Sequence, residues 1–276
     1  MRVRATLLGF VAVACVRPHE DARSKAESTA PSEPATLRPE AAPGPLDASV
    51  QAPDLPNVAT DWCEPDWRAL DETTCYFVPP GSKRLLIYLS GIVPPISKSA
   101  QKEKVQRVVM AAAKRAGVAA LLPRGRRGIG PADARDWWAW PTQASDYARH
   151  SASLVAEWEA ARAKLEASVG AFERVYLAGS SSGAYFLTAL ALRGDIELDG
   201  YAAASGGAPV AAKVGVKKRP FYIGYATGDS ANGGPKALAA YLNSAGWPVR
   251  VSEHPGGHGA REVYLDEAFA LWSAVP

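Results

Sequence analysis

Apolar runs of strand length alternate along most of the chain with segments of helical periodicity. The run at residues 85–89 is uninterrupted, which is typical of a strand buried on both faces, and it ends at Ser90 and Gly91. Residues 99–116 place valines on one helical face and basic side chains on the other, and Gly117 ends that pattern. The strands predicted in this way lie at 85–89, 118–122, 174–178, 200–204, 221–226 and 249–252, with an edge strand at 75–78, and the helices lie at 99–116, 147–169, 182–192, 235–245 and 261–273.

The order of these elements predicts the fold class. Apolar strands that alternate with helices form a mostly parallel sheet with helices on both faces, so we predict an α/β fold. In such sheets ligands bind beyond the carboxyl ends of the strands. Each loop that follows a predicted strand is therefore a candidate part of a functional site.

Composition divides the chain into two parts. Residues 15–56 are rich in Pro, Ala, Ser and Glu and contain almost no aromatic or large aliphatic side chains, so we predict a disordered tether there. After this stretch, aromatic residues begin at Trp62 and continue to Trp272, which places the folded domain at 57–276. The formal net charge of +3 is too small to indicate nucleic-acid binding, and we expect no nucleic-acid partner.

The first residues have the pattern of an export signal. Arg2 and Arg4 precede about ten apolar residues, which are too few to span a bilayer but typical of a secretory signal, and we predict a signal peptide at 1–14. The small residues before Cys15 resemble the lipobox of bacterial lipoproteins, with Ala12 where Leu is usual. This resemblance implies that Cys15 carries lipid.

Each interpretation of this segment predicts a location. A lipidated Cys15 would anchor the protein to a membrane, in the periplasm or at the cell surface. Cleavage of an ordinary signal would give a secreted protein, and the remaining alternative is a cytoplasmic protein with an apolar start. The first two interpretations both export the protein.

Two further cysteines, Cys63 and Cys75, flank a short polar stretch. In an oxidising compartment they form an even pair suited to a disulfide. The alternative is two unrelated reduced thiols. We expect no metal, because no further ligand stands at a suitable spacing from these cysteines.

Three serines stand in a row between two glycines at residues 179–183, between a predicted strand and a predicted helix. A serine-rich tight turn is one interpretation. The other is the pattern G-x-S-x-G, which fits in one frame only, with Ser181 central and Gly179 and Gly183 on either side. This frame resembles the nucleophile elbow of the α/β-hydrolase superfamily, and the chain is most similar to its compact serine esterases.

Partners for Ser181 follow in the order Ser, Asp, His that this superfamily uses. Asp229 follows the strand at 221–226, and His258 lies in a glycine-rich loop before the last helix. The resemblance implies that Ser181, His258 and Asp229 are nucleophile, base and orienting acid. The alternatives are His254 as the base and Asp229 as a solvated loop carboxylate.

The resemblance also implies an oxyanion hole made of backbone N–H groups. One donor would be Ser182, the residue after the nucleophile. The other would be Gly91 or Ile92, in the loop after the first long strand, where Ser90-Gly91 stands in place of the His-Gly of many relatives. No cofactor is implied.

Two segments around the predicted site bear on the identity of the substrate. Residues 205–219, where relatives often insert a helical cap, are too few for one, which predicts an exposed site for a small or polymeric ester. The loop after the second long strand offers aromatic side chains for apolar or sugar contacts and basic ones for anions. Alternatively, the tryptophans pack against the loop and the arginines are solvated. The side chains in question are Trp137, Trp138 and Trp140, and Arg126 with Arg124 and Arg127.

The resemblance implies a monomeric serine hydrolase that cleaves carboxylic esters through an acyl-enzyme intermediate. Thioesterase, peptidase, lysophospholipase and depolymerase activities use the same residues and stay open. An alternative from a different class is a non-catalytic hydrolase-like lipoprotein that acts as a binding or structural module.

Overall fold

A computed structural model describes residues 55–96 and 98–275. The predicted signal peptide at 1–14, the predicted lipidation site Cys15 and nearly all of the tether lie outside the described residues. None of the helices in the described part of the chain is long and apolar enough to cross a membrane.

Eight strands form a single sheet in the described residues. Their bounds are Arg68–Asp71 (β1), Thr74–Phe77 (β2), Arg84–Leu89 (β3), Ala119–Pro123 (β4), Arg174–Ser180 (β5), Gly200–Ala204 (β6), Phe221–Ala226 (β7) and Val249–His254 (β8). The strand order is β1-β2-β4-β3-β5-β6-β7-β8. The six strands from β4 to β8 in this order pair in parallel, whereas β1 and β2 are antiparallel additions at one edge.

Helices cover both faces of this sheet. They are Ala100–Ala116 (α1), Ala144–Val169 (α2), Ser182–Arg193 (α3), Gly233–Ser244 (α4) and Glu262–Ser273 (α5). Side chains alternate along β3: Leu85 and Ile87 belong to the core with α2, α3 and α4, while Leu86 and Tyr88 belong to the core with α1 and α5. This period of two, with both sets apolar, explains the uninterrupted apolar run in the sequence.

The register of the central strands aligns their carboxyl ends. Leu89, the last residue of β3, is paired with Gly179 of β5, and Gly179 is paired with Ala203 of β6. The loops that follow β3, β5 and β6 therefore leave the sheet side by side. Residues 205–220, between β6 and β7, contain no helix, so no cap domain is inserted there.

The α/β fold class is confirmed, and the differences from the predicted elements are local. β1 is an addition that the sequence pattern did not indicate, because a four-residue edge strand with two apolar side chains has too short a pattern. β5 continues to Ser180 because Gly179 and Ser180 still pair with β6, although neither is a strand former. α2 begins at Ala144, three residues before the predicted start.

The antiparallel edge contains the predicted cysteine pair. Cys75 of β2 is joined to Cys63 in a disulfide, with a Cα–Cα distance of 5.5 Å. Cys75 is fully buried. The segment before β1 is thereby attached covalently to the sheet.

Candidate active site

Ser181 lies at the turn from β5 to α3 in a strained backbone conformation. Its φ is 51° and its ψ is −122°. A non-glycine residue with positive φ is uncommon and costs on the order of 1–3 kcal/mol, so the surrounding structure must stabilise it. Its N–H donates to Ala204 O at 3.0 Å, and its carbonyl accepts from Tyr185 N at 3.1 Å. This sharp strand-to-helix turn resembles the predicted nucleophile elbow, and the role of Ser181 as a nucleophile stays a prediction.

The structure distinguishes the three consecutive serines by exposure. Ser180 is 2% exposed, and its hydroxyl bonds to Tyr88 inside the core. Ser182 is 6% exposed, whereas Ser181 is partly exposed. Of the three hydroxyl-bearing residues, Ser181 is therefore the one that solvent reaches.

Glycine at 183 is required by a close approach of two backbones. A Cβ at this position would lie 2.3 Å from Leu89 O, at the end of β3. A Cβ at Gly179 would lie 2.9 Å from the same oxygen. Contacts this short with backbone atoms are not relieved by side-chain rotation, so the turn packs against β3 only with glycine on both sides of the serine.

Asp229 and His258 form a hydrogen-bonded pair. His258 Nδ1 lies 2.8 Å from Asp229 Oδ2. The Asp229 side chain is 2% exposed and the His258 side chain 44% exposed, so a buried carboxylate contacts a ring that solvent reaches. The other carboxylate oxygen, Oδ1, accepts from Ala231 N at 2.9 Å. Asp229 is therefore a buried partner of His258 and not a solvated loop carboxylate.

Backbone hydrogen bonds join the loops that carry these two residues. Thr227 N donates to His254 O at 3.0 Å, and Gly228 N donates to Gly256 O at 2.9 Å. These bonds continue the β7–β8 pairing past the end of the sheet. They explain how two residues from separate loops meet with hydrogen-bonding geometry.

Ser205 lies between the Ser181 side of the candidate site and the His258 side. It is fully buried, follows β6 directly, and has a positive φ of 48°. Its hydroxyl donates to Gly259 O at 3.2 Å, next to His258, and the preceding residue, Ala204, accepts from Ser181 N. Sequence reasoning missed Ser205, and the only signal was its position at the carboxyl end of a predicted strand.

His254, the alternative base, is engaged elsewhere. Its Nε2 lies 3.2 Å from Glu267 Oε1 on α5, and its ring packs near Tyr264. Although burial acts to raise the pKa of Glu267, hydrogen bonds from Ser252 and Tyr222, together with the nearby His254, lower it below its usual value. His254 thus belongs to a polar cluster against α5, whereas His258 is paired with Asp229.

The loop after β3 lies beside the candidate nucleophile. A Cβ built on Gly91 would be 3.1 Å from Ser181 Cβ and 3.7 Å from Ser181 Oγ. Gly91 therefore lies against Ser181 on the β3 side, and Ile92 follows it in the same loop. Ser182, the first residue of α3, has a backbone N–H in the first turn of the helix, where intrahelical acceptors are lacking.

The predicted substrate contacts of the tryptophan loop need correction at Trp140. This side chain is 1% exposed and packs against Trp158 and Phe186 in the core. The prediction that Trp140 contacts substrate is wrong, because three apolar or aromatic positions in one loop do not indicate in sequence which of them faces inward. Trp137 and Trp138 are partly exposed, and their contact with substrate stays a prediction.

The arginines of the same loop already have partners. Arg126 pairs with Glu157 and donates to Ser153 Oγ, and Arg124 stacks over Trp138 at 4.1 Å. These side chains line a cavity of about 530 Å³ beyond the carboxyl end of β4. A role of Arg126 in binding an anionic substrate group stays a prediction.

Solved structures with the same architecture are found among esterases. The fold is that of the α/β-hydrolases. Esterase PE8 aligns with a TM-score of 0.54 at 17% identity, over 73% of this chain and 97% of its own. A carboxylesterase of Bacillus cereus aligns with a TM-score of 0.54 at 14% identity, over 73% and 93%. YahD, solved with malic acid, aligns with a TM-score of 0.57 at 14% identity, over 74% and 98%.

Sequence comparison adds no closer assignment. No family model matches the sequence, and no curated protein sequence matches it. At identities of 14–17%, the similarity to these structures establishes the fold alone. Any statement about the reaction therefore depends on the residues of this chain.

Proposed function

We propose that this protein is a serine hydrolase that cleaves carboxylic esters. Ser181 is the nucleophile, His258 the general base and Asp229 the acid that orients the imidazole. The observation that carries the proposal is the 2.8 Å contact between His258 Nδ1 and the buried Asp229 carboxylate. It occurs at the same edge of the sheet as the strained and partly exposed Ser181.

The pairing determines how the proton moves. With Nδ1–H donating to Asp229, neutral His258 has its lone pair on Nε2. Nε2 takes the proton of the Ser181 hydroxyl as Oγ attacks the ester carbonyl carbon. When the tetrahedral intermediate collapses, the C–O bond to the alcohol breaks and His258 gives that proton to the leaving alkoxide. The acyl group stays on Ser181 Oγ as an acyl-enzyme.

Water completes the cycle by the same route in reverse. His258 takes a proton from water as its oxygen attacks the acyl carbon, and the second intermediate collapses with release of the carboxylic acid. The proton returns to Ser181 Oγ. The buried Asp229 carboxylate stabilises the imidazolium that forms in each half of the reaction.

Backbone groups on both sides of Ser181 stabilise the negative charge on the carbonyl oxygen. Ser182 donates from the first turn of α3, where the helix dipole also favours an anion. Gly91 or Ile92 donates from the loop after β3, which lies against Ser181. Each donor of this kind typically lowers the barrier by roughly 3 kcal/mol.

The open surroundings support a small ester or an ester on a polymer as the substrate class. Residues 205–220 add no helix over the carboxyl edge of the sheet, and 44% of the His258 side chain is exposed. A substrate can therefore approach without passing through a tunnel of cap residues. Trp138, whose backbone pairs with that of Val93 in the loop after β3, is our candidate for an aromatic contact with such a substrate.

We also propose that the protein is exported and anchored through Cys15. The apolar segment before Cys15 and the disulfide between Cys63 and Cys75 both support this, because disulfides persist in oxidising compartments. Intact-mass measurement of the membrane fraction, with Cys15→Ala as control, tests the anchor. An acyl mass on the wild type alone is expected, and an unmodified wild type would contradict it.

Turnover of p-nitrophenyl esters from acetate to palmitate tests the reaction. The full-length protein is compared with two matched variants, His258→Gln and His254→Gln. We expect hydrolysis to be lost in the first and kept in the second, because Asp229 contacts only the first of these histidines. A folded wild type that hydrolyses no ester would favour the non-catalytic binding module instead.

A further inference from the structure

Trp140 makes a polar contact that its packing role does not explain. Its side chain is 1% exposed, and its indole Nε1 donates to the carbonyl oxygen of Ser90 at 2.8 Å. Ser90 is itself buried and stands directly between the end of β3 and Gly91. The bond therefore joins the aromatic core to the loop that borders Ser181.

This bond determines the orientation of one peptide unit. The described residues contain no cis peptide bond, so the Ser90 carbonyl and the Gly91 N–H point in opposite directions within one rigid plane. When the carbonyl is bonded to the indole, the Gly91 N–H points away from Trp140. The orientation of a candidate oxyanion donor thus depends on a side chain about fifty residues further along the chain.

Trp140 is also in contact with the helix that begins at the nucleophile. Its ring stacks on Phe186 of α3, with centroids 6.0 Å apart, and meets Trp158 of α2 edge to face at 5.6 Å. One rigid side chain therefore contacts both α3, which supplies the Ser182 donor, and the loop that supplies the Gly91 donor. Such a contact keeps the two halves of an oxyanion hole in a constant relative position.

A second attachment of the same loop leaves little freedom around this bond. Val93 N donates to Trp138 O at 2.9 Å, and Trp138 N donates to Val93 O at 2.8 Å. On its other side, the segment pairs through Ala139 with Arg126, at 2.9 and 3.0 Å. Residues 138 and 139 are therefore held by backbone hydrogen bonds to Val93 on one side and Arg126 on the other. The indole bond from Trp140 to Ser90 is the attachment nearest to Gly91.

We infer that Trp140 is a positioning residue that orients the oxyanion loop through its indole bond to the Ser90 carbonyl. The inference rests on the proposed function and adds a specific requirement to it: the N–H of the indole, and not only its bulk, contributes to turnover. Donors aligned in advance of the reaction stabilise the transition state without reorganisation, and a poorly aligned donor loses much of that effect. Substrate binding depends less on this alignment.

The test compares Trp140→Phe with Trp158→Phe in the full-length protein. Both substitutions shorten an indole to a phenyl ring in the same aromatic cluster, but only the first removes the bond to Ser90. For Trp140→Phe we expect kcat for a p-nitrophenyl ester to fall about 10- to 100-fold with little change in KM. Trp158→Phe keeps kcat within a few-fold of the wild type, and thermal melts check that both variants fold.

Hydrogen exchange of residues 90–93 provides a readout that does not depend on activity. Faster exchange in Trp140→Phe than in Trp158→Phe is expected, because the loop loses an attachment. Unchanged exchange, or an unchanged kcat in Trp140→Phe, would overturn the inference. If the wild type hydrolyses no ester, the proposed function fails, and the catalytic part of the inference fails with it. The exchange result still decides whether the Trp140 indole orders residues 90–93.

Discussion

His258 Nδ1 lies 2.8 Å from Oδ2 of Asp229, although 29 residues separate them in the chain. The carboxylate is buried and has a second bond, from Ala231 N, so its position does not depend on the histidine. The His258 side chain, by contrast, is 44% exposed. A fixed buried anion with one accessible imidazole is the arrangement that a general base requires.

Replacing Asp229 with asparagine tests this arrangement. Asp229→Asn preserves the shape of the side chain but removes the charge and favours the other imidazole tautomer, in which the lone pair is on Nδ1. We expect kcat for ester hydrolysis to fall by about 10³- to 10⁴-fold, on the scale known for such changes. Steady-state kinetics measures this effect, and circular dichroism checks the fold. A fall of less than tenfold in a folded variant would remove Asp229 from the mechanism.

Replacing Gly183, the glycine after the three serines, is expected to destabilise the fold. In Gly183→Ala the new Cβ would lie 2.3 Å from Leu89 O, so the turn or β3 must shift, and we expect a loss on the order of 3 kcal/mol in the free energy of unfolding. Gly233→Ala is the matched control, because a Cβ there meets no atom within 4 Å. Urea denaturation compares the two variants. Equal stability would contradict the close approach of the elbow to β3.

The polar cluster around Glu267 predicts a pH dependence of stability. Burial acts to raise the pKa of Glu267, but hydrogen bonds from Ser252 and Tyr222, together with the nearby His254, lower it below the ordinary value of 4.5. The folded carboxylate thus binds a proton less readily than the unfolded one, so its contribution is present above about pH 4.5 and is lost as the pH falls. Melting temperatures of Glu267→Gln should depend less on pH in that acidic range. A parallel profile for wild type and variant would be evidence against this linkage.

The disulfide at the antiparallel edge is expected to stabilise the fold. Cys63 and Cys75 close a loop of 12 residues in sequence separation, and cross-links of this size contribute about 3 kcal/mol. Adding reductant should lower the urea midpoint of the wild type and leave that of the double variant Cys63→Ala, Cys75→Ala unchanged. A wild type that is insensitive to reductant would mean that the two thiols are not bonded in solution.

The sequence predicts most of the fold because its signals are local. The uninterrupted run at 85–89 and the strand at 221–226 carry the pattern of buried parallel strands, and both occur within a residue of their predicted bounds. β1 has no such signal: its pairing with β2 arises from a contact formed in the folded chain. The same limit explains why the extension of β5 to Ser180 was not predicted.

The residues of the candidate site also divide into those with a local sequence signal and those placed by contacts in the folded chain. Ser181, Asp229 and His258 stand at the carboxyl ends of predicted strands or in the loops beyond them, so motif and topology together indicate a common edge. Trp140 is different, because this loop residue is buried by Trp158 of α2 and Phe186 of α3. Periodicity within a loop gives no information about such contacts. The sequence therefore suggested a substrate contact where the structure has a core residue.

Covalent labelling with a fluorophosphonate tests the central claim most directly. The full-length wild type, Ser181→Ala and Ser180→Ala are incubated with the probe, and the modified residue is located by peptide mass spectrometry. We predict one label on Ser181 in the wild type, none in Ser181→Ala, and a retained label in Ser180→Ala, whose hydroxyl is buried against Tyr88. A label that persists in Ser181→Ala, or a folded wild type that takes none, would contradict the assignment of Ser181 as the nucleophile.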